Sequence, residues 1–321
     1  PLVARRTQPP RALSAMDGYA VRASDLSTVP CSLAVIEELP AGAVPTKALG
    51  SMQAARIFTG APLPAGADAI LIQENVTKPD LPVIEALEAP APGRYVRPQG
   101  LDFSEGDVGI AAGTLLSPRH IALAASMNHP WLMVHRKPRV AILSTGSELK
   151  HPGEPLEPGQ IISANSASLA ALVQAQGGEA VQLGIVPDDT RALLAALASA
   201  QSCDLIVTSG GASVGAHDLI GNQLKDHGLD VGFWKIAMRP GKPLIYGAFK
   251  STPFLGLPGN PVSTSVGGML IIAPIIAACQ GLPDPTTHWE QRRLAADIGP
   301  NDKREEFMRA QLFTDGSVQA F

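Results

Sequence analysis

Arg139–Leu149, RVAILSTGSEL, runs from an apolar stretch straight into a Thr-Gly turn. Cys203–Gly211, CDLIVTSGG, does the same, and Pro253–Gly259, PFLGLPG, does it a third time. An unbroken apolar run closed by small residues is the pattern of a strand buried on both faces. Between these runs the period changes. NSASLAALVQAQGG reads as an amphipathic helix from a cap at Asn165 to a stop at Gly177, and EAVQLGIV as a strand. DDTRALLAALASA reads as a helix with acidic residues at its positive end, and a further helix is expected from about Asp218. GFWKIAM and PLIYGAF add strands, and a long helix opens at about Pro261. Strands alternating with helices imply a doubly wound parallel sheet with helices on both faces. The fold class is therefore multi-domain α/β plus β, its central α/β domain spanning 138–281.

Outward from that domain the composition changes. The first part, to about Arg136, is rich in Pro and Gly with short apolar runs such as CSLAVIEEL and LPVIEAL, which read as strands and turns. SPRHIALAASMN reads as a helix with Ser117 as N-cap and Pro118 in the first helical position. The expected organisation is a helical and linker module of 1–22 with 104–137, a β-rich module of 23–103, and a C-terminal β module of 282–321, incomplete at Phe321. SAMDGYA, Ser14–Ala20, is expected in an otherwise structureless start, with Asp17-Gly18 as a turn. Pro1 is not a start methionine, so a fragment or processed form is expected.

The 321 residues carry 25 Lys and Arg against 29 Asp and Glu, a net charge of −4, which leaves no broad basic field for nucleic acid. Aromatic residues at 4% also argue against base-stacking platforms. The three cysteines are far apart and form no CxxC, so a disulfide framework or zinc site is not expected and a reducing cytoplasm fits. No signal peptide is visible. Val262–Leu282 is long enough to span a membrane, but Gly267, Gly268 and Pro274 dilute it and no Lys or Arg flanks it. It reads as a buried helix, with no membrane partner.

Three strand-end turns in one parallel sheet suggest a ligand site, because helix N-termini and bare amides face the crevice outside the carboxyl ends. The candidates are Ser144 and Gly146 on the first turn, Ser209, Gly210 and Gly211 on the second, and Pro258, Gly259 and Asn260 on the third. In TSGGASVGAHD, Ser213 and Gly215 extend a loop whose consecutive N–H groups suit a phosphate, although an ordinary tight turn has the same composition. Asp218 closes that loop. It is either a helix N-cap or, beside a phosphate, a Mg²⁺ ligand that offsets like charge. Arg239 and Lys242 flank Pro240-Gly241 with no acidic partner nearby in sequence. They suit a compact oxyanion, Ser263 adding a hydroxyl at a helix start, though a solvated hairpin turn looks the same.

Taken together, SAMDGYA, RIFTGAPLPAGADAI, VRPQGLDF, AILSTGSEL, TSGGASVGAHD, MRPGKPL and GLPGNPVS resemble, in order and wording, the molybdopterin molybdenumtransferase family over essentially the whole chain. The resemblance implies a homodimeric four-domain enzyme whose α/β domain is shared with molybdopterin adenylyltransferases, one of which is a possible partner. It implies molybdenum insertion into adenylylated molybdopterin from molybdate, with Mg²⁺ and release of AMP, in a site between subunits. By the same resemblance Asp17, Glu179 and Asp218 are the acids of the site and Asp218 holds the metal. Thr59 and the three turns bind substrate, while Arg239, Lys242, Ser263 and Arg304 form the molybdate pocket. Ser147 stands where many members have Asp, removing an acid from the cleft, and Arg239 stands where Lys is usual. The family's first helix would precede Pro1. A pterin-binding scaffold without turnover and an adenylyltransferase are the rival readings.

Overall fold

The computed structural model describes residues 1–77, 82–211, 224–282 and 289–321. It divides into two units, Pro1–Met133 and Val134–Phe321. The helix expected from about Asp218 lies outside the described residues.

The first unit is built on a six-stranded sheet of β1 (Gly18–Val21), β2 (Cys31–Leu39), β3 (Gln53–Ile57), β4 (Ala69–Ile72), β5 (Val76–Thr77) and β6 (Val83–Ala86), in the order β4-β1-β3-β2-β6-β5. The β2–β3 pairing is parallel and the rest antiparallel. SAMDGYA is thus not structureless: Gly18–Val21 is a fully buried inner strand. Gly18 is required there, because an added Cβ would run into the Leu71 carbonyl oxygen of β4. Alternate residues feed two cores. Tyr19, Val21 and Leu71 lie in one, and Ala20 and Ile70 in the other. Helix α1 (Pro118–Ser126) starts as expected, with the Ser117 amide donating to His120 Nδ1 at 3.0 Å.

The second unit holds β7 (Arg139–Thr145), α2 (Asn165–Ala175), β8 (Glu179–Val186), α3 (Thr190–Ala198), β9 (Leu205–Ser209), β10 (Leu229–Trp234), β11 (Met238–Arg239), β12 (Ile245–Phe249) and β13 (Thr252–Leu257). The sheet order is β8-β7-β9-β13-β12-β10. The first four strands are parallel, but β12 runs antiparallel to both of its neighbours, β13 and β10, so the sheet is mixed rather than wholly parallel. The reason is linker length. Only Lys250 and Ser251 separate β12 from β13, and a parallel crossover needs a dozen residues or more. Both adopt positive φ, 47° and 74°, the conformation a two-residue hairpin demands.

Each buried strand sends alternate side chains to opposite faces. Ala141, Leu143 and Ile206 pack with Leu193 and Leu197 of α3. Val140, Ile142 and Val207 pack with Leu169 and Val173 of α2 and with Ile272 and Ile276. Those last two belong to a long helix: α4 (Pro261–Gly267), a π segment (Gly268–Ile272) and α5 (Ala273–Cys279). Pro274, which has no N–H to donate, falls where the wide turn ends. This helix is long and apolar enough to cross a membrane, yet it forms part of the sheet's core, as the buried-helix reading expected.

The GFWKIAM stretch splits. β10 ends at Trp234, and Met238–Arg239 leaves the sheet to pair in parallel with β14 (Glu305–Glu306). β15 (Ala310–Leu312) and β16 (Val318–Ala320) form a hairpin beyond it.

Candidate active site

The parallel register carries the three turns to one edge. Ser144 pairs with Ser209, and Ser209 with Leu257, so β7, β9 and β13 end level. Their turns line a cleft of about 450 Å³ that contains Ser144, Gly146, Ser209, Gly210, Gly211, Pro258 and Gly259, as the sequence predicts. Gly210 sits at φ 95°, and a Cβ there would collide with the Thr145 carbonyl oxygen, so only glycine lets the two turns lie this close.

Polar groups line the cleft that the sequence did not single out. Asn165 is not a cap: the helix cap is Ala164, and Asn165 Nδ2 donates to Ser209 Oγ at 2.9 Å and to the Gly259 carbonyl at 2.8 Å. It ties the β9 and β13 turns together. Ser163 donates to Ser144 Oγ at 3.1 Å. The Thr145 hydroxyl is buried without a partner among the described residues, and the residue is only 6% exposed. Unpaired buried hydroxyls are rare and mark a place where a ligand can complete the set. Glu148 and Asp188 bring carboxylates to the same cleft, and neither carboxylate is hydrogen-bonded or ion-paired among the described residues. Ser147 accepts the Asp188 amide at 3.3 Å and so staples the loops after β7 and β8. The cleft therefore keeps its acids on either side of Ser147.

Glu179 is not among them. It begins β8, opposite Arg139 at the start of β7, with which it is ion-paired at 3.2 Å. Strand starts and strand ends lie on opposite edges of a parallel sheet. At about 3.3 Å per residue, β8 puts Glu179 more than 20 Å from the cleft. Asp218, Ser213 and Gly215 lie outside the described residues. Asn260 is the N-cap of α4, its side chain accepting from the Val262 amide at 3.0 Å and the Ser263 amide at 3.2 Å. That helix start is thus already capped, and Ser263 itself is 7% exposed.

The expected oxyanion cations differ from one another. Arg239 is not without a partner: it is ion-paired with Glu306, Nε to Oε1 at 3.2 Å. Lys242 has no ion pair among the described residues and stands beside Pro243, which lines the cleft. Arg304 is held by Asp302, Nη2 to Oδ2 at 2.6 Å, and that pairing raises the guanidinium pKa and lowers the carboxyl's.

In the first unit, Asp17 and Thr59 meet. Asp17 Oδ1 accepts the Thr59 amide at 2.7 Å and its hydroxyl at 2.8 Å. The Thr59 amide first, then its hydroxyl, hold the Asp17 carboxyl below the usual carboxylate range.

A mixed α/β sheet with a ligand cleft at its carboxyl edge, joined to a β-rich N-terminal unit, defines the class. Residues 1–128 match the family described as MoeA N-terminal region (domain I and II), and residues 141–278 match the probable molybdopterin binding domain. A molybdopterin molybdenumtransferase of Nostoc sp. is 39% identical over 311 residues, covering 93% of this chain and 70% of that protein. One from Haemophilus influenzae is 41% identical over 269 residues, covering 84% and 66%. The crystal structure of the molybdopterin biosynthesis moea protein from Pyrococcus horikosii superposes with a TM-score of 0.85 at 32% identity, covering 99% of this chain and 82% of that one. The chain belongs to the molybdopterin molybdenumtransferase family.

Proposed function

We propose that this chain takes adenylylated molybdopterin and molybdate, releases AMP and leaves molybdenum on the pterin dithiolene. As a member of its family it is a transferase of molybdenum cofactor biosynthesis, and the finer reaction rests on the cleft. The observation that carries it is the buried Thr145 hydroxyl, unpartnered among the described residues, set among three strand-end turns, with Arg239 and Lys242 on the turn that leads to Pro243. The turns offer amides and hydroxyls to phosphate and pterin, and the cations suit a doubly charged oxyanion. Glu148 and Asp188 supply hard oxygen donors of the kind Mg²⁺ takes, with Asp218 as a third candidate. Bound there, Mg²⁺ would offset the charge of the substrate phosphates. Asp17 with Thr59 would serve the cleft of a second copy in a cytoplasmic homodimer.

The test is AMP release from adenylylated molybdopterin, with and without molybdate and Mg²⁺, on the chain and on Glu148→Gln and Lys242→Ala. Release stimulated by molybdate and dependent on Mg²⁺ is expected, with Lys242→Ala raising the molybdate KM. A folded protein that releases no AMP would refute the reaction and leave a pterin-binding role.

A further inference from the structure

We propose that Glu306 is the positioning residue for the oxyanion grip: it holds the Arg239 guanidinium by its Nε edge and leaves the terminal fork free for molybdate. This rests on the oxyanion reading of Arg239 and Lys242.

The two residues are set opposite each other by backbone pairing, not by chance encounter of long side chains. β11 and β14 run parallel with Arg239 across from Glu306. The Glu305 amide donates to the Ala237 carbonyl at 2.9 Å and the Phe307 amide to the Arg239 carbonyl at 2.7 Å. Glu306 is thus fixed on both sides. Its side chain is 22% exposed and that of Arg239 is 55% exposed, so the acid is the anchored partner and the arginine the one that is aimed. A guanidinium carries five N–H donors in a rigid plane. The ion pair lies on the Nε edge, and among the described residues the terminal nitrogens make no hydrogen bond, which leaves them for a bidentate contact with an oxyanion.

Arg304 is also paired with a carboxylate, but there Asp302 engages both its Nε and one terminal nitrogen. Arg239 also contributes to the lowered pKa of Asp302, so the two Arg–carboxylate pairs share one field. Lys242, by contrast, has no ion pair among the described residues and acts as a point charge. The division follows from chemistry. An ammonium needs no orientation, whereas a guanidinium binds a tetrahedral oxyanion well only when its fork is aimed. An arginine at this place therefore gains from a partner such as Glu306.

The experiment measures molybdate affinity by titration calorimetry and, through AMP release, the KM for molybdate, the KM for adenylylated molybdopterin and kcat. The variants are Arg239→Ala, Glu306→Ala, Glu306→Gln and Arg239→Ala/Glu306→Ala. Glu306→Ala is expected to weaken molybdate about tenfold, the size of one oriented charge-assisted contact, with the other two constants within about twofold. Glu306→Gln keeps an acceptor for Nε and should recover most of the loss. The double variant should match Arg239→Ala, because Glu306 acts only through that side chain. If Glu306→Ala binds molybdate as well as or better than the parent while Arg239→Ala weakens it, positioning is refuted and the grip stands. If Arg239→Ala leaves molybdate dependence unchanged, the grip itself fails. A parallel fall in all constants and in Tm, without rescue by Gln, would reduce Glu306 to a structural tether and overturn the proposal.

Discussion

Asn165→Ala removes the strut between two cleft turns and touches nothing else in the sheet. Its amide nitrogen makes two neutral hydrogen bonds, to Ser209 Oγ and to the Gly259 carbonyl. Each contributes about 1 kcal/mol net, and because Gly259 is exposed, water can replace the lost donor there. The expected cost is therefore about 2 kcal/mol, or about 4–8 °C in the transition of a unit this size. Asn165→Asp should cost more than Ala, because a carboxylate cannot donate and would face the Gly259 carbonyl oxygen. Calorimetry of the chain gives the magnitude. Hydrogen exchange gives the place: the Gly210 amide, which donates to the Leu257 carbonyl at 3.1 Å, reports on the junction Asn165 holds. Faster exchange confined to the β9 and β13 turns is expected. An unchanged transition with unchanged exchange at Gly210, or an Asp variant as stable as Asn, would refute the strut.

Three further outcomes follow from the same geometry. Asp204 is held below the usual carboxylate range, first by Arg136 and then by the Arg139 amide, so its contribution is full above that range and lost as pH falls through the depressed folded pKa; Asp204→Asn should flatten acid unfolding below about pH 4. Thr145→Val removes a hydroxyl that has no partner among the described residues, so stability should hold or rise while the KM for adenylylated molybdopterin rises about fivefold, the value of one neutral hydrogen bond; an unchanged KM would separate that hydroxyl from the substrate. Gly210→Ala meets both a positive φ and the Thr145 carbonyl, and should cost at least about 1 kcal/mol by denaturant unfolding and weaken substrate binding with it.

What the sequence made legible is what local rules decide. A continuous apolar run before a glycine turn specifies a doubly buried strand, and three such runs gave β7, β9, β13 and the turns of the cleft. The antiparallel end of the sheet was readable too, since two residues between β12 and β13 exclude a crossover, but the alternation of strands and helices elsewhere was extended over it. Lys250 and Ser251 carry none of the Gly or Asn that announce a hairpin. Asn165 shows how fine the limit is. A polar residue at a helix start reads as a cap, and only the fold reveals that Ala164 holds that place and Asn165 reaches across to Ser209 and Gly259.

The acids of the site show what motif matching adds and where strand polarity must correct it. Glu179 follows the Gly-Gly that ends α2 and opens β8, and a residue that opens a parallel strand lies on the edge away from the ligand. Its partner Arg139 opens β7 on that same edge, so the pair ties two strand starts together and carries no charge to the cleft. Glu148 and Asp188, by contrast, follow the carboxyl ends of β7 and β8 directly. Direction along the strand, which sequence order alone supplies, separates the two pairs. Glu306 lies beyond that reach: it meets Arg239 only because the C-terminal segment returns to pair with β11, and no local pattern records such a long-range register. The proposed oxyanion grip is therefore the part of the site whose cations the sequence names and whose pairing with Glu306 only the folded chain supplies.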